Sequence, residues 1–332
     1  MIKIIVDAMG GDNAPAAVVN GCIEALAKKD GFCILLVGDE EKVTKILKER
    51  EYNGKRIKIV HAPGVITNHD EPSKVVKQKK DSSMVVAFNL LKEKKGDVLI
   101  SCGSTGALLA CSILLLKRIK GINRPALGTL IPSKKGSVLL MDAGLNAECK
   151  PVNLLQFAIM GSCYIKHLTG NKYPKVGLLN IGAEKEKGNE LVKEAYELIQ
   201  SSEVTFIGNV EGNEIIAGNA DVVVCDGFTG NVVLKAIEGV AGFFIGELKE
   251  IFLKSITTKL SALFVKDGIK KLKNKVDVDV MGGAPILGID GLAIKSHGNS
   301  NAITIENVII RAAVLAECDF LENMKREIDR KR

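Results

Sequence analysis

Asp7 and Asp12 bracket two glycines directly after the apolar run Ile2–Val6, in the order Asp7-Ala-Met-Gly10-Gly11-Asp12-Asn-Ala-Pro15. A strand that ends on a carboxylate, turns through glycines and enters a helix behind a proline brings bare backbone N–H groups to a strand's carboxyl end. Open α/β folds bind ligands there. A second segment, Ser101-Cys-Gly-Ser104-Thr105-Gly106, leads into the apolar run Ala107–Leu116. Its glycines permit close approach, Ser104 and Thr105 add hydroxyl donors, and the helix start favours an anion. An ordinary βα turn with a serine cap is the plainer alternative. No Gly-Lys-Ser/Thr ends this segment and Gly10–Pro15 does not satisfy G-x-G-x-x-G, so neither nucleotide fingerprint is present.

Asp226 ends an apolar run, and Asn231 follows five residues on, past Gly227 and Gly230. A carboxylate and an amide at such a turn can orient a nucleophile or hold a developing oxyanion, or merely cap a helix. Lys187, beside Gly188 at a helix entry, suits phosphate but equally suits water. His297, in Lys295-Ser-His-Gly-Asn-Ser300, fits a general acid, an anion donor or a structural histidine. Cys102 and Cys225 lie at strand ends, but a nucleophilic thiol needs a depressed pKa. The absence of a G-x-S-x-G elbow disfavours an acyl-serine mechanism. The eight cysteines have irregular spacing and the four histidines share no ligand spacing with them, so reduced thiols and no metal are expected.

The elements that must position these residues alternate. Expected strands are Ile2–Val6, Cys33–Val37, Ile57–Val60, Val98–Ser101, Val138–Asp142, Val176–Asn180, Val204–Ile207, Val222–Asp226 and Ala293–Lys295. Expected helices are Ala16–Lys28, Glu40–Glu51, Lys74–Lys92, Ala107–Arg118, Asn153–His167, Glu190–Ser201, Asn231–Ile251 and Ile303–Ala316. Strands alternating with helices imply a mostly parallel sheet covered on both faces, in one continuous α/β domain over 1–332. Polar glycine clusters recur after strands, including Asp142-Ala-Gly-Leu-Asn146 and Gly208–Gly212. In a parallel sheet they gather at the carboxyl edge of the strands and build one composite site, with Asp7 and Asp12 shaping its wall.

Aromatics make up 4% of 332 residues, with no Trp, which argues against stacking on nucleic acid or sugar. No run approaches about 20 uninterrupted apolar residues, so no spanning helix and no secretory leader are expected. The net charge is +7, and residues 249–275 carry nearly all of the excess, with eight lysines against Glu250 and Asp267. There Phe252, Leu253, Ile256, Leu260, Leu263 and Phe264 form an apolar stripe at helical spacing, flanked by lysines. Packing on the core or a partner subunit, contact with anionic lipid, and contact with an acidic partner all fit this pattern.

Taken in order, Asp7–Pro15, Ser101–Leu108, Asp142–Asn146, Leu178–Gly188, Gly208–Gly212, Asp221–Lys235 and Gly282–Ser300 resemble the bacterial phosphate acyltransferases, the phosphate:acyl-[acyl carrier protein] transacylases of phospholipid synthesis. The resemblance covers essentially the whole chain. It implies a Rossmann-like α/β/α sandwich with a protruding amphipathic helical hairpin at about 240–276. It also implies a cytoplasmic homodimer held peripherally on an anionic membrane surface. The implied reaction moves an acyl chain from acyl carrier protein to inorganic phosphate, without cofactor, metal or nucleic acid. The implied product serves a downstream glycerol-3-phosphate acyltransferase. Lys187, Asp226 and Asn231 match the family's catalytic positions. Gly10, Gly11, Ser104, Thr105, Gly106, Asn146 and His297 are the expected substrate contacts. Ser104 stands where the family usually has Asn, keeping a hydroxyl but losing an amide, and Cys102 replaces a usual Ala. The rivals are a short-chain phosphotransacetylase using coenzyme A thioesters, a metal-dependent dehydrogenase on the same scaffold, and a non-enzymatic membrane adaptor.

Overall fold

The computed structural model describes residues 1–67, 69–276 and 283–330. In chain order the elements are β1 (Ile2–Asp7), α1 (Ala16–Lys28), β2 (Phe32–Gly38), α2 (Glu40–Glu49), β3 (Ile57–His61), α3 (Val75–Gln78), α4 (Ser83–Lys92), β4 (Val98–Ser101), α5 (Thr105–Cys111), β5 (Ala126–Ser133), β6 (Gly136–Met141), α6 (Pro151–Thr169), β7 (Lys175–Leu179), α7 (Glu190–Gln200), β8 (Thr205–Val210), α8 (Gly212–Ala217), β9 (Val222–Val224), α9 (Gly227–Leu253), α10 (Ile256–Val276), β10 (Ala284–Leu287), β11 (Ala293–Lys295), α11 (Ala302–Glu317) and α12 (Phe320–Arg330).

Eleven strands form one sheet in the order β3-β2-β1-β4-β11-β10-β5-β6-β9-β7-β8. Most pairings are parallel, and helices cover both faces. The sheet is mostly parallel, as expected, and the antiparallel pairings lie at its centre. β10 runs antiparallel to both β11 and β5, and β5 runs antiparallel to β6. The block β3-β2-β1-β4-β11 and the block β6-β9-β7-β8 therefore run in opposite senses. β5 and β10 were absent from the expected strands, and they are the pair that makes this reversal.

The strands are near-continuous apolar runs because both faces are buried. Ile4 and Val6 point into a layer with α1, α6, α11 and α12, while Ile5 points into the opposite layer with α4 and α5. Side-chain caps set many helix starts: Asp39 for α2, Ser82 for α4, Asn189 for α7 and Asn301 for α11. The Ser82 cap also explains why the expected helix Lys74–Lys92 is broken. Its hydroxyl donates to Lys79 O and accepts from Val85 N, so the chain turns between α3 and α4. The expected helix Ala107–Arg118 starts earlier, at Thr105, and its last turn widens to a π-helix over Ser112–Leu116.

Helices α9 and α10 pack on each other as a hairpin. Val240, Phe243, Phe244, Leu253, Leu260 and Leu263 are exposed along it, and Phe264 is 91% exposed; Phe252 is half-buried. Ile256 starts α10, and its side chain lies outside the described ones, as do those of Lys270, Lys271, Lys273 and Lys275. Gly282 also lies outside the described residues. By length and composition α9 is apolar enough to cross a membrane, with an 18-residue window of mean hydropathy 1.4, although five charged residues lie along the whole helix.

Candidate active site

The loops after β1, β4 and β11 are laced together. Ser101 Oγ donates to Asp7 Oδ2 at 2.6 Å and accepts from Gly103 N at 3.1 Å. Asp7 is buried, and desolvation raises its pKa against the lowering effect of its hydrogen bonds, that from Ser101 foremost. At Gly10 the β1 loop passes so close to the β4 loop that a Cβ would lie 2.8 Å from Gly103 N, which only glycine avoids. Asp12 N donates to Gly298 O at 2.7 Å, and Asn13 Nδ2 donates to Asn299 O at 2.9 Å. Asp7 thus braces two loops, and Asp12 joins a third through its backbone.

A second brace forms after β6. Asp142 is fully buried, and its carboxylate accepts from the N–H groups of Leu127, Gly144, Leu145 and Asn146 and from Asn146 Nδ2, at 2.7–3.2 Å. Asn146 Nδ2 also donates to Pro125 O, and Asn146 O accepts from Gly227 N at 2.7 Å. This ties the β6 loop to the start of α9. That helix begins at Gly227, four residues before the expected start. Asp226 is its cap, accepting from Thr229 N at 2.9 Å and Thr229 Oγ1 at 2.7 Å. Asn231 lies in the first turns, where its Nδ2 would stand 2.9 Å from a Cβ on Gly144.

Between the two braces lies a cavity of about 820 Å³. Gly11, Ser104, Thr105 and His297 line one wall and Asn231 and Gly144 the other. Of the expected site residues, five therefore meet in one space. Gly10, Gly106 and Asn146 do not line it. Gly10 and Asn146 hold its walls from behind, and Gly106 packs against Pro72. Lys187 and Asp226 also lie outside the lining; Lys187 is exposed on the loop after β7. One composite site from all the glycine loops does not form, because β7 and β8 are the outermost strands on that side of the sheet, beyond β6 and β9, whose loops do reach the cavity.

Lys235, Lys295, Thr67, Thr129 and His69 also line the cavity and were missed. Lys235 follows Asn231 by four residues, so helical spacing alone could have added it. Lys295 ends β11, two residues before His297. Thr129 had no signal, since β5 was not expected. His297 Nδ1 is buried without a hydrogen-bond partner among the described residues.

No thiol here is set up as a nucleophile. Burial pushes the Cys102 pKa up to about 12, with the nearby Asp7 charge adding to it, and Cys149 up to about 11. The Cys225 thiol is also raised well above its usual range by burial.

The chain matches, over residues 2–323, the family model described as fatty acid synthesis protein. It is 57% identical over 324 residues to a phosphate acyltransferase of Acetivibrio thermocellus, covering 98% of this chain and 96% of that one. It is 50% identical over 323 residues to a phosphate acyltransferase of Alkaliphilus oremlandii, covering 97% and 96%. Among solved structures it is similar in fold to a phosphotransacetylase from Streptococcus pyogenes, with TM-score 0.64, 16% identity and coverage of 95% and 94%.

Proposed function

Because the chain belongs to the fatty acid synthesis protein family of phosphate acyltransferases, and so moves an acyl group to phosphate, we propose that its donor is acyl carrier protein and that its acyl phosphate feeds phospholipid synthesis. The observation that carries the site assignment is the cavity itself, where the Ser104–Thr105 helix start faces the Asn231 amide. In the proposed reaction a phosphate oxygen attacks the thioester carbonyl, a C–O bond forms, the C–S bond breaks and the carrier leaves as thiolate. Phosphate is partly dianionic near neutral pH, so positioning supplies most of the acceleration.

The start of α5, through the Thr105 N–H and the Ser104 and Thr105 hydroxyls, holds phosphate on the cavity wall. His297 adds a donor on the same wall. Asn231 Nδ2 donates to the oxyanion that forms on the thioester carbonyl. Asp226, fully engaged with Thr229, orients the turn that carries Asn231. Lys187, exposed and outside the lining, attracts phosphate towards the cleft. Transfer is direct, without an acyl-enzyme, in keeping with thiols held protonated.

We further assign the exposed hairpin to peripheral contact with an anionic membrane surface at the cytoplasmic side, in a homodimer. Its exposed Leu260, Leu263 and Phe264 beside lysines support this.

The test is acyl phosphate formation from palmitoyl-acyl carrier protein and inorganic phosphate, with palmitoyl-coenzyme A in competition. Saturation by the carrier thioester at far lower concentration than the coenzyme A thioester is expected. Activity confined to coenzyme A thioesters would overturn the donor assignment. Asn231→Ala should lower kcat about 100-fold. Lys187→Ala should chiefly raise KM for phosphate; wild-type kinetics in both variants would remove these roles.

A further inference from the structure

A second cavity, of about 530 Å³, lies at the opposite end of β1 and β2 from the catalytic loops. Strand register puts its parts on one face of the sheet. Lys3 pairs with Cys33 on β2, and Lys58 on β3 pairs with Leu35. Helix α4 packs on β1 and β2 over this face and leaves Cys33, Leu35, Val60 and Leu90 half-exposed as an apolar floor. The turn after α4 closes through Lys94 N to Leu91 O at 3.0 Å and Lys95 N to Leu90 O at 2.9 Å, which holds two lysines at the mouth. Lys3, Lys55, Arg56 and Lys58 complete the rim.

Charge on this rim is poorly compensated. Arg56 meets Asp30 at 2.9 Å and Lys95 meets Glu93 at 2.7 Å. Among the described residues, Lys3, Lys55, Lys58 and Lys94 make no ion pair with an acid. An apolar floor open to water and a ring of uncompensated cations are both relieved by one kind of molecule, an alkyl chain that ends in a phosphate. The volume falls in the ordinary range for small-molecule sites.

We infer that this groove binds a phosphate-headed amphiphile, with the chain on Leu35, Val60 and Leu90 and the head between Lys58, Lys94 and Lys3. That is the chemical class of the product of acyl transfer to phosphate. The six residues of β1 place the groove roughly 20 Å from the catalytic loops. It is thus a second site for that class, outside the cleft, and it rests on the groove rather than on the donor assignment.

Cys33 lines the groove and reports on it. The experiment measures N-ethylmaleimide labelling of Cys33 by peptide mass spectrometry, with exposed Cys318 as internal reference. The probe is dodecyl phosphate below its micelle concentration. At ten times its Kd it should slow Cys33 labelling about tenfold while Cys318 is unchanged. Inorganic phosphate and dodecanol should each give far less protection. A Lys58→Glu/Lys94→Glu variant should lose the protection while keeping wild-type acyl transfer and melting temperature. Absence of protection in the wild type, equal protection by dodecanol, or undiminished protection in the variant would each overturn the inference. Stronger protection by an acidic peptide than by dodecyl phosphate would also overturn it, in favour of a protein partner.

Discussion

The carboxylate of Asp142 illustrates how much of the site rests on groups that never touch substrate. It is fully buried and holds four backbone N–H groups and one side-chain amide. Asp142→Ala would leave several buried donors without acceptors, at about 1–3 kcal/mol each. A loss of at least about 3 kcal/mol in denaturant unfolding is expected. Asp142→Asn should recover only part of it, because an amide accepts through one oxygen. The cavity thiol makes the opposite case. Cys102 is buried, with its pKa pushed up to about 12, so Cys102→Ala should keep acyl transfer within about twofold. An acyl group trapped on Cys102 in intact-mass measurements would refute direct transfer. Both expectations come from local surroundings, which residue type and spacing do not reveal: Asp142 and Cys102 each stand at the end of an apolar strand like any other.

Two elements govern how the cavity is framed. The start of α9 presses on the β6 loop at Gly230, where a Cβ would lie impossibly close to Asp142 O. Gly230→Ala must shift the helix start and move Asn231 with it. Destabilisation of about 1–3 kcal/mol is expected, with a fall in kcat larger than any change in KM. The segment between β3 and α4 supplies Thr67 and His69 to the cavity, and a latch on Asp70 helps to pin it. Lys79 Nζ donates to Asp70 Oδ2 at 2.7 Å and to Val65 O at 2.9 Å, while Thr67 N and Oγ1 also donate to Asp70. The Lys79 ammonium, with Thr67 behind it, lowers the Asp70 pKa to about 2. A carboxylate whose pKa falls on folding adds stability that is complete above its ordinary value of 3.8 and is lost as pH falls through about 2. Amide exchange of residues 65–67 should therefore accelerate, relative to the intrinsic rate, between pH 5 and pH 2. Lys79→Met should produce the same loosening at pH 7. The latch is partly exposed, so raised salt should weaken it.

At the scale of the whole molecule, the hairpin of α9 and α10 leaves large apolar side chains uncovered, with Phe264 at 91% exposure. In flotation with anionic vesicles, wild type should rise with the lipid and Leu260→Glu/Phe264→Glu should stay behind, while acyl transfer to a soluble donor persists. Equal flotation of the two proteins would set aside the membrane assignment.

The apolar runs, caps and glycine loops made the strand–helix alternation and the ordered motifs of the family readable from the chain, because each depends on neighbours a few residues apart. The sense of the second parallel block was not readable. It is set by β5 and β10, whose register joins residues 126–127 to residues 286–287, and no local pattern encodes so distant a pairing. The pairing brings Thr129 of β5 into the cavity, and the strand order leaves β7 and β8 at the outer edge, which takes Lys187 out of the lining. Sequence alone determined which residue types are available for acyl transfer to phosphate. Tertiary structure decided which of them share a space, because strand pairing and burial over long separations fix both the geometry and the charge state of a site.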